Sequence, residues 1–295
     1  MTRWLPLLLV ACFGGRASDP PPNAALPAAQ STPPEAPPPT TAVPQPDVDA
    51  DAAAAVDVND EIARRLPGPL AVDIAAVKRA FDSASSAADV AAAYRRSLGL
   101  AERLEESLMP AFQATDYEPL DLGWLKPSLP AMNETYMAEG MALVFDLDAD
   151  GWAAKAASTP EPEDDAFFAM MKAGYGSARP MGWAAWDQRT WDYGGCSGLG
   201  SGVVLDVLTK VDAANAAGDL FKAEIAEMRR LALLSVLEDH PEFPRCSVDT
   251  LEPMDDAKIA AEVQGILDTV TLTDDETSKV NARKPMLRGQ AHKGG

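Results

Sequence analysis

Eleven of the chain's 25 prolines fall between residues 17 and 50, where the only longer aliphatic side chains are Leu26, Val43 and Val48. Proline fixes φ and removes an amide donor, so neither helix nor sheet propagates through such density. The stretch also offers too little apolar surface to offset the entropy of ordering it. It is expected to be a disordered, extended tether, reaching roughly 100 Å at about 3.1 Å per residue in polyproline geometry. Any folded core has to come from the residues that follow.

From Val58 onward the apolar spacing is helical. Ile74, Val77 and Phe81 recur at helical intervals. Ser86 and Asp89 resemble a capping box ahead of Val90, Tyr94, Ala101, Leu104 and Leu108, a stripe expected to end at Pro110. Residues 115–130 read as a loop. Tyr136, Met137, Gly140, Met141 and Val144 suggest a helix, although Ala142 to Leu147 also suits one strand. Thr159-Pro160 starts a helix that buries Phe167, Phe168 and Met171 and stops at Gly174 or Gly176. After a glycine-rich break at 194–202, Val204, Val207, Leu208 and Val211 define one helix, and Asp219 opens another through Ile225, Met228 and Val236. Ile259, Val263, Ile266 and Val270 form the next, and Thr273 with Glu276 caps a last short turn. The predicted fold is all-α, an irregular multi-helix bundle over residues 57–282, either as one core or as lobes 57–115 and 130–282. The tail from 283, with Arg283, Lys284, Arg288, Lys293 and no acid, is expected to be disordered.

The first twelve residues join a cationic Arg3 to a short apolar run ending Leu9-Val10-Ala11-Cys12. Such a segment reads as a secretory signal, too short to span a bilayer as a helix. Its last four residues resemble the lipobox of bacterial lipoproteins. The resemblance implies removal of residues 1–11, acylation of Cys12, and a membrane anchor on the linker 12–56. Phe13 replaces the aspartate that, in enteric lipoproteins, signals inner-membrane retention. The implied address is thus the outer membrane of a Gram-negative envelope, on its periplasmic or surface face.

With Cys12 lipidated, Cys196 and Cys246 remain in an oxidising compartment. A short connection around Gly218 folds the two flanking helices back on each other, bringing their far ends together. That argument predicts a Cys196–Cys246 disulfide clipping a helical hairpin.

Charge narrows the partners. The whole chain carries 25 basic and 45 acidic residues. An anionic surface of this kind repels phosphates, which argues against nucleic acid. Solubility in an exported protein explains it without any specific ligand. With only His240 and His292, no Cys/His zinc set can be assembled, and His240 reads as a helix-terminus histidine.

Two motifs carry candidate chemistry. Asp146-Leu147-Asp148-Ala149-Asp150-Gly151 resembles the first half of an EF-hand loop, with carboxylates at positions 1, 3 and 5 and glycine at 6. It makes Asp146, Asp148 and Asp150 a calcium candidate, but Ala157 stands where the twelfth, bidentate ligand belongs. The alternative is an acidic capping turn. Trp183, Trp186, Trp191 and Tyr193 crowd eleven residues with Asp187 and Asp192 between them. Indole faces beside carboxylates suit glycan stacking, and paired acids suit glycoside cleavage. The glycine run 194–202 lacks the order of a phosphate loop or a nucleophile elbow. The reading of the whole is a lipid-anchored envelope protein, a non-catalytic binding or scaffolding module. The rivals are a peptidoglycan-binding or -hydrolysing protein and a calcium-dependent adhesion or stability module.

Overall fold

The computed structural model describes residues 60–137, 142–176, 184–189, 195–238, 244–247 and 250–290. The signal segment, Cys12 and the tether lie outside the described residues, so their expected roles are carried by sequence alone. The described body belongs to one compact unit, with no division between residues 115 and 130.

Nine α-helices dominate the described residues, as the periodicity predicts. They are α1 (Asp60–Arg65), α2 (Gly68–Ser83), α3 (Ala87–Ala114), α4 (Ala149–Ala156), α5 (Pro162–Tyr175), α6 (Val203–Ala217), α7 (Lys222–Leu237), α8 (Asp256–Thr269) and α9 (Asp274–Arg283). Two short antiparallel pairs interrupt them: β1 (Met132–Met137) with β2 (Ala142–Leu147), and β3 (Asp187–Arg189) with β4 (Gly195–Ser197). No helix among the described residues is long and apolar enough to cross a membrane.

Helix α3 is the spine. Ser86 caps it by accepting from the Asp89 amide at 3.2 Å, and its own hydroxyl donates to the Asp89 carboxylate at 2.8 Å. Contrary to expectation, the helix does not end at Pro110 but runs through it to Ala114. Proline inside a helix removes the bond to residue i−4, at a cost of about 3 kcal/mol. Here Pro110 and Glu106 are both exposed, away from the core, and fully buried Phe112 anchors the last turn.

At the middle of α3, Tyr94 organises an aromatic core. Its ring meets Trp152 of α4 at 5.5 Å, and Phe167 and Phe168 of α5 each at 5.4 Å, all edge to face. Phe221 stacks on Phe167 at 3.8 Å. Each such ring contributes on the order of 2–3 kcal/mol by leaving water. This pull also explains why α7 begins at Lys222 rather than at Asp219. Phe221 is drawn inside as the N-cap residue while Asp219 stays exposed, pairing with Lys222 at 3.3 Å.

The helix expected around Tyr136–Val144 is instead a strand pair. Met132 faces Leu147 and Met137 faces Ala142 in the register. The buried positions Leu143, Phe145 and Leu147 alternate, a period of two that i, i+4 matching of Tyr136, Gly140 and Val144 overlooked. The last element is also longer than a turn. Thr273 and Glu276 do form a reciprocal capping box, and α9 runs ten residues from it.

Nor is the tail disordered from 283. Leu287 is buried, the Gly289 amide donates to Asp256 at 2.8 Å, and the Gln290 amide donates to the Arg245 carbonyl at 2.9 Å. Gly289 is obligatory there, because a Cβ would sit 1.8 Å from the Met254 carbonyl oxygen. Only residues 291–295 of the tail, with His292, lie outside the described residues.

Candidate functional site

The three aspartates of the EF-hand-like motif occupy a corner where β2 turns into α4. Asp146 is still in the strand and is 7% exposed. Asp148 is the N-cap of α4 and accepts from the Asp150 amide at 3.1 Å. Asp150, in the helix, forms an ion pair with Lys172 of α5 at 2.5 Å. Asp148 thus acts as an N-cap where a strand turns into a helix. Among the described residues, no group of three or more His, Cys, Asp or Glu side chains is placed to hold a metal ion.

The aromatic candidate is only partly visible. Trp186 is 2% exposed and belongs to the hydrophobic core, so its face is not offered to a sugar. Its carbonyl accepts from the Gly198 amide, tying it to the glycine-rich run. Trp183, Trp191, Tyr193 and Asp192 lie outside the described residues, as does His240. Asp187 is half-buried at the start of β3.

The predicted disulfide is present. Cys196 of β4 and Cys246 are bonded, with Cα atoms 5.0 Å apart, and both are buried. Cys246 also bridges Pro253, and the Ser197 amide donates to the Pro244 carbonyl at 2.9 Å. As the hairpin argument required, α6 and α7 pack together across the connection 218–221.

What composition could not show is how the acids are used. Glu262 of α8 is 5% exposed and accepts two amides at the start of α6, Gly200 and, at 3.0 Å, Leu205. Glu163 accepts from Leu220, and Glu161 from Ala87 at 3.2 Å. Asp212 accepts from Thr271 at 2.6 Å, and Asp256 from Gly289. Glu105 of α3 accepts from Phe145 of β2 at 2.8 Å. Six carboxylates thus complete backbone groups that no secondary structure satisfies, most often at loops and helix starts. No local signal announces them, because the partners are at least 33 residues apart in sequence.

The β2–α3 seam holds a strongly perturbed carboxyl. Burial pushes Glu105 up to about 7, against the lowering effect of the Phe145 hydrogen bond, and the charges of Asp146 and Glu102 raise it further. Beside this seam is a tight recess lined by Tyr94, Leu147, Trp152, Phe168, Met171 and Tyr175. Within it, the Tyr94 hydroxyl and the Trp152 indole N–H are buried without a hydrogen-bond partner. Burial drives the Tyr94 phenol well above its ordinary range and pushes Tyr175 up to about 12, so both stay protonated donors. The site's parts are therefore a proton-binding carboxyl, a buried neighbour and two neutral donors in an apolar wall.

Comparison with protein-family models, with curated proteins and with solved structures found no match to this chain.

Proposed function

We propose that this chain is an exported lipoprotein, anchored through acylated Cys12 and carrying its helical body on the Pro/Ala-rich linker as a binding or scaffolding module of the cell envelope. The observation that carries the reading is the Cys196–Cys246 disulfide. Structural disulfides persist in oxidising compartments and are rare where thiols are kept reduced. The bond is independent of the N-terminal segment, yet it asks for the same compartment as Leu9-Val10-Ala11-Cys12. Phe13 favours the outer membrane as the address.

A non-catalytic role fits the described acids best. Of the acids in the two candidate motifs, Asp148 caps α4 and Asp150 pairs with Lys172 of α5. Partners for the body are then protein or glycan surfaces rather than a reacting substrate.

The test is detergent phase separation of the protein expressed in a Gram-negative host. Wild type should enter the detergent phase, and Cys12→Ala should move to the aqueous phase. Wild type found in water overturns the anchor. Free Cys196 and Cys246 in protein recovered from the envelope would remove the compartment argument.

A further inference from the structure

After α9 the chain lies in a seat that contacts it residue by residue. Leu287 is 2% exposed and belongs to the hydrophobic core. Arg288 pairs through Nε with Asp256 of α8 at 3.4 Å. The other oxygen of Asp256 accepts the Gly289 amide at 2.8 Å. The Gln290 amide then donates to the Arg245 carbonyl, which also accepts from the Met254 amide, both at 2.9 Å. Residues 287–290 fall in no helix or strand, so these contacts, rather than a ladder, place them.

Each contact selects a chemistry. A side chain at 289 would put its Cβ 1.8 Å from the Met254 carbonyl oxygen and 2.8 Å from that residue's nitrogen and carbonyl carbon. All three are backbone atoms, so only glycine passes. Asp256 holds a peptide amide and a cation together, and Glu252 and Asp255, close by in sequence, are also exposed. Such a surface favours a basic segment and repels an acidic one. The hold on the cation is weak, because the Arg288 and Asp256 side chains each keep 56% of their surface in water.

We propose that the surface formed by Arg245, Met254 and Asp256 is a binding site for an extended Leu-Arg-Gly segment of a partner protein, occupied here in cis by residues 287–290. The site deepens the binding-module reading by naming the class of ligand. Main-chain amides supply the hold, and the leucine, arginine and glycine supply the selection. Joined to the body by a short connection, the resident segment has an effective concentration on the order of millimolar. It therefore excludes weak competitors and yields to a partner segment that binds more tightly.

Fluorescence anisotropy of a labelled Met-Leu-Arg-Gly-Gln peptide with the full chain tests this. The double variant Leu287→Ala, Gly289→Val empties the seat and leaves Arg245, Met254 and Asp256 intact. It should bind the peptide roughly tenfold more tightly than wild type, whose own segment competes. Adding Asp256→Asn should undo most of the gain, and a peptide with valine in place of glycine should bind neither protein. In wild type, excess peptide should raise hydrogen exchange at 289–290. No binding to the double variant, equal affinity of the two proteins, or equal binding of the valine peptide overturns the proposal. Should the double variant not fold, unchanged exchange at 289–290 under excess peptide overturns it alone. A wild-type dimer in light scattering that the peptide dissolves would give the seat to a second copy and overturn the assignment to a partner. None of these readouts involves Cys12, so the site and the anchor fail separately.

Discussion

Arg229 of α7 grips Glu276 of α9 with both terminal nitrogens, one of them at 2.9 Å, while Glu276 completes its own helix's capping box with Thr273. One carboxylate thus joins two helices and starts one of them. The Arg229 guanidinium, together with the Thr273 contacts, holds the Glu276 carboxyl down at about 2. A lowered value means the folded state prefers the ionised form. Its stabilisation is fully present above pH 4.5 and is lost as pH falls from there toward 2. Glu276→Gln should cost about 2 kcal/mol at neutral pH and flatten the acid limb of stability against pH. Urea melts at pH 7 and pH 3 check both, and a variant whose acid limb matches wild type would show that the pair contributes nothing.

Glu262 offers a cleaner measure of a carboxylate acting as a backbone partner. It is buried and satisfies the Gly200 and Leu205 amides together. Glu262→Ala leaves both donors unsatisfied and should destabilise by about 3 kcal/mol, whereas Glu262→Gln, retaining one acceptor, should lose about half as much. Denaturant midpoints at pH 7 decide it, and equal losses in the two variants would mean that packing matters rather than acceptance.

Tyr94→Phe should go the other way. The ring supports the aromatic core, but its hydroxyl is buried without a partner. Deleting the oxygen keeps the ring and removes a desolvated donor, for a gain of about 1 kcal/mol. A measured loss in a urea titration would show that the hydroxyl is satisfied in solution.

The Cys196–Cys246 bond closes a sequence separation of 50 residues. On the chain-entropy estimate, replacing both cysteines with alanine should cost about 4 kcal/mol. Because Gln290 hangs on the Arg245 carbonyl beside Cys246, the same variant should free the C-terminal residues to limited proteolysis. Continued protection of that end in the double variant would mean that the tail docks without the bridge.

The helices were legible in the sequence because each writes its apolar face within a few turns, as Val204, Val207, Leu208 and Val211 do. Thr273 and Glu276 were legible for the same reason, being three residues apart. The disulfide followed from topology, since a short connection constrains where two helix ends go. The strand β1 was not legible, because Tyr136, Gly140 and Val144 recur at a helical i, i+4 interval. Pro110 misled in the opposite way, as its penalty is local and the burial of Phe112 two residues later outweighs it. Glu105 and Glu262 could not be foreseen at all. Their partners, Phe145 and Gly200, come beside them only once the chain has folded.

Among the described residues, six acids hold main-chain amides at least 33 residues away in sequence, and this separates the body's negative charge into two kinds that salt and mutation treat differently. An exposed pair such as Lys222–Asp219 fades as ions screen it, whereas a carboxylate hydrogen-bonded to an amide is shielded by its own contact. Surroundings that ceased to favour an anionic surface would let the first kind drift to neutral residues. Glu105, Glu161, Glu163, Asp212, Asp256 and Glu262 would stay, because exchanging any of them leaves a main-chain amide without its acceptor. Acidity in this body is thus partly a form of joinery, and it would outlast whatever environment first selected for charge.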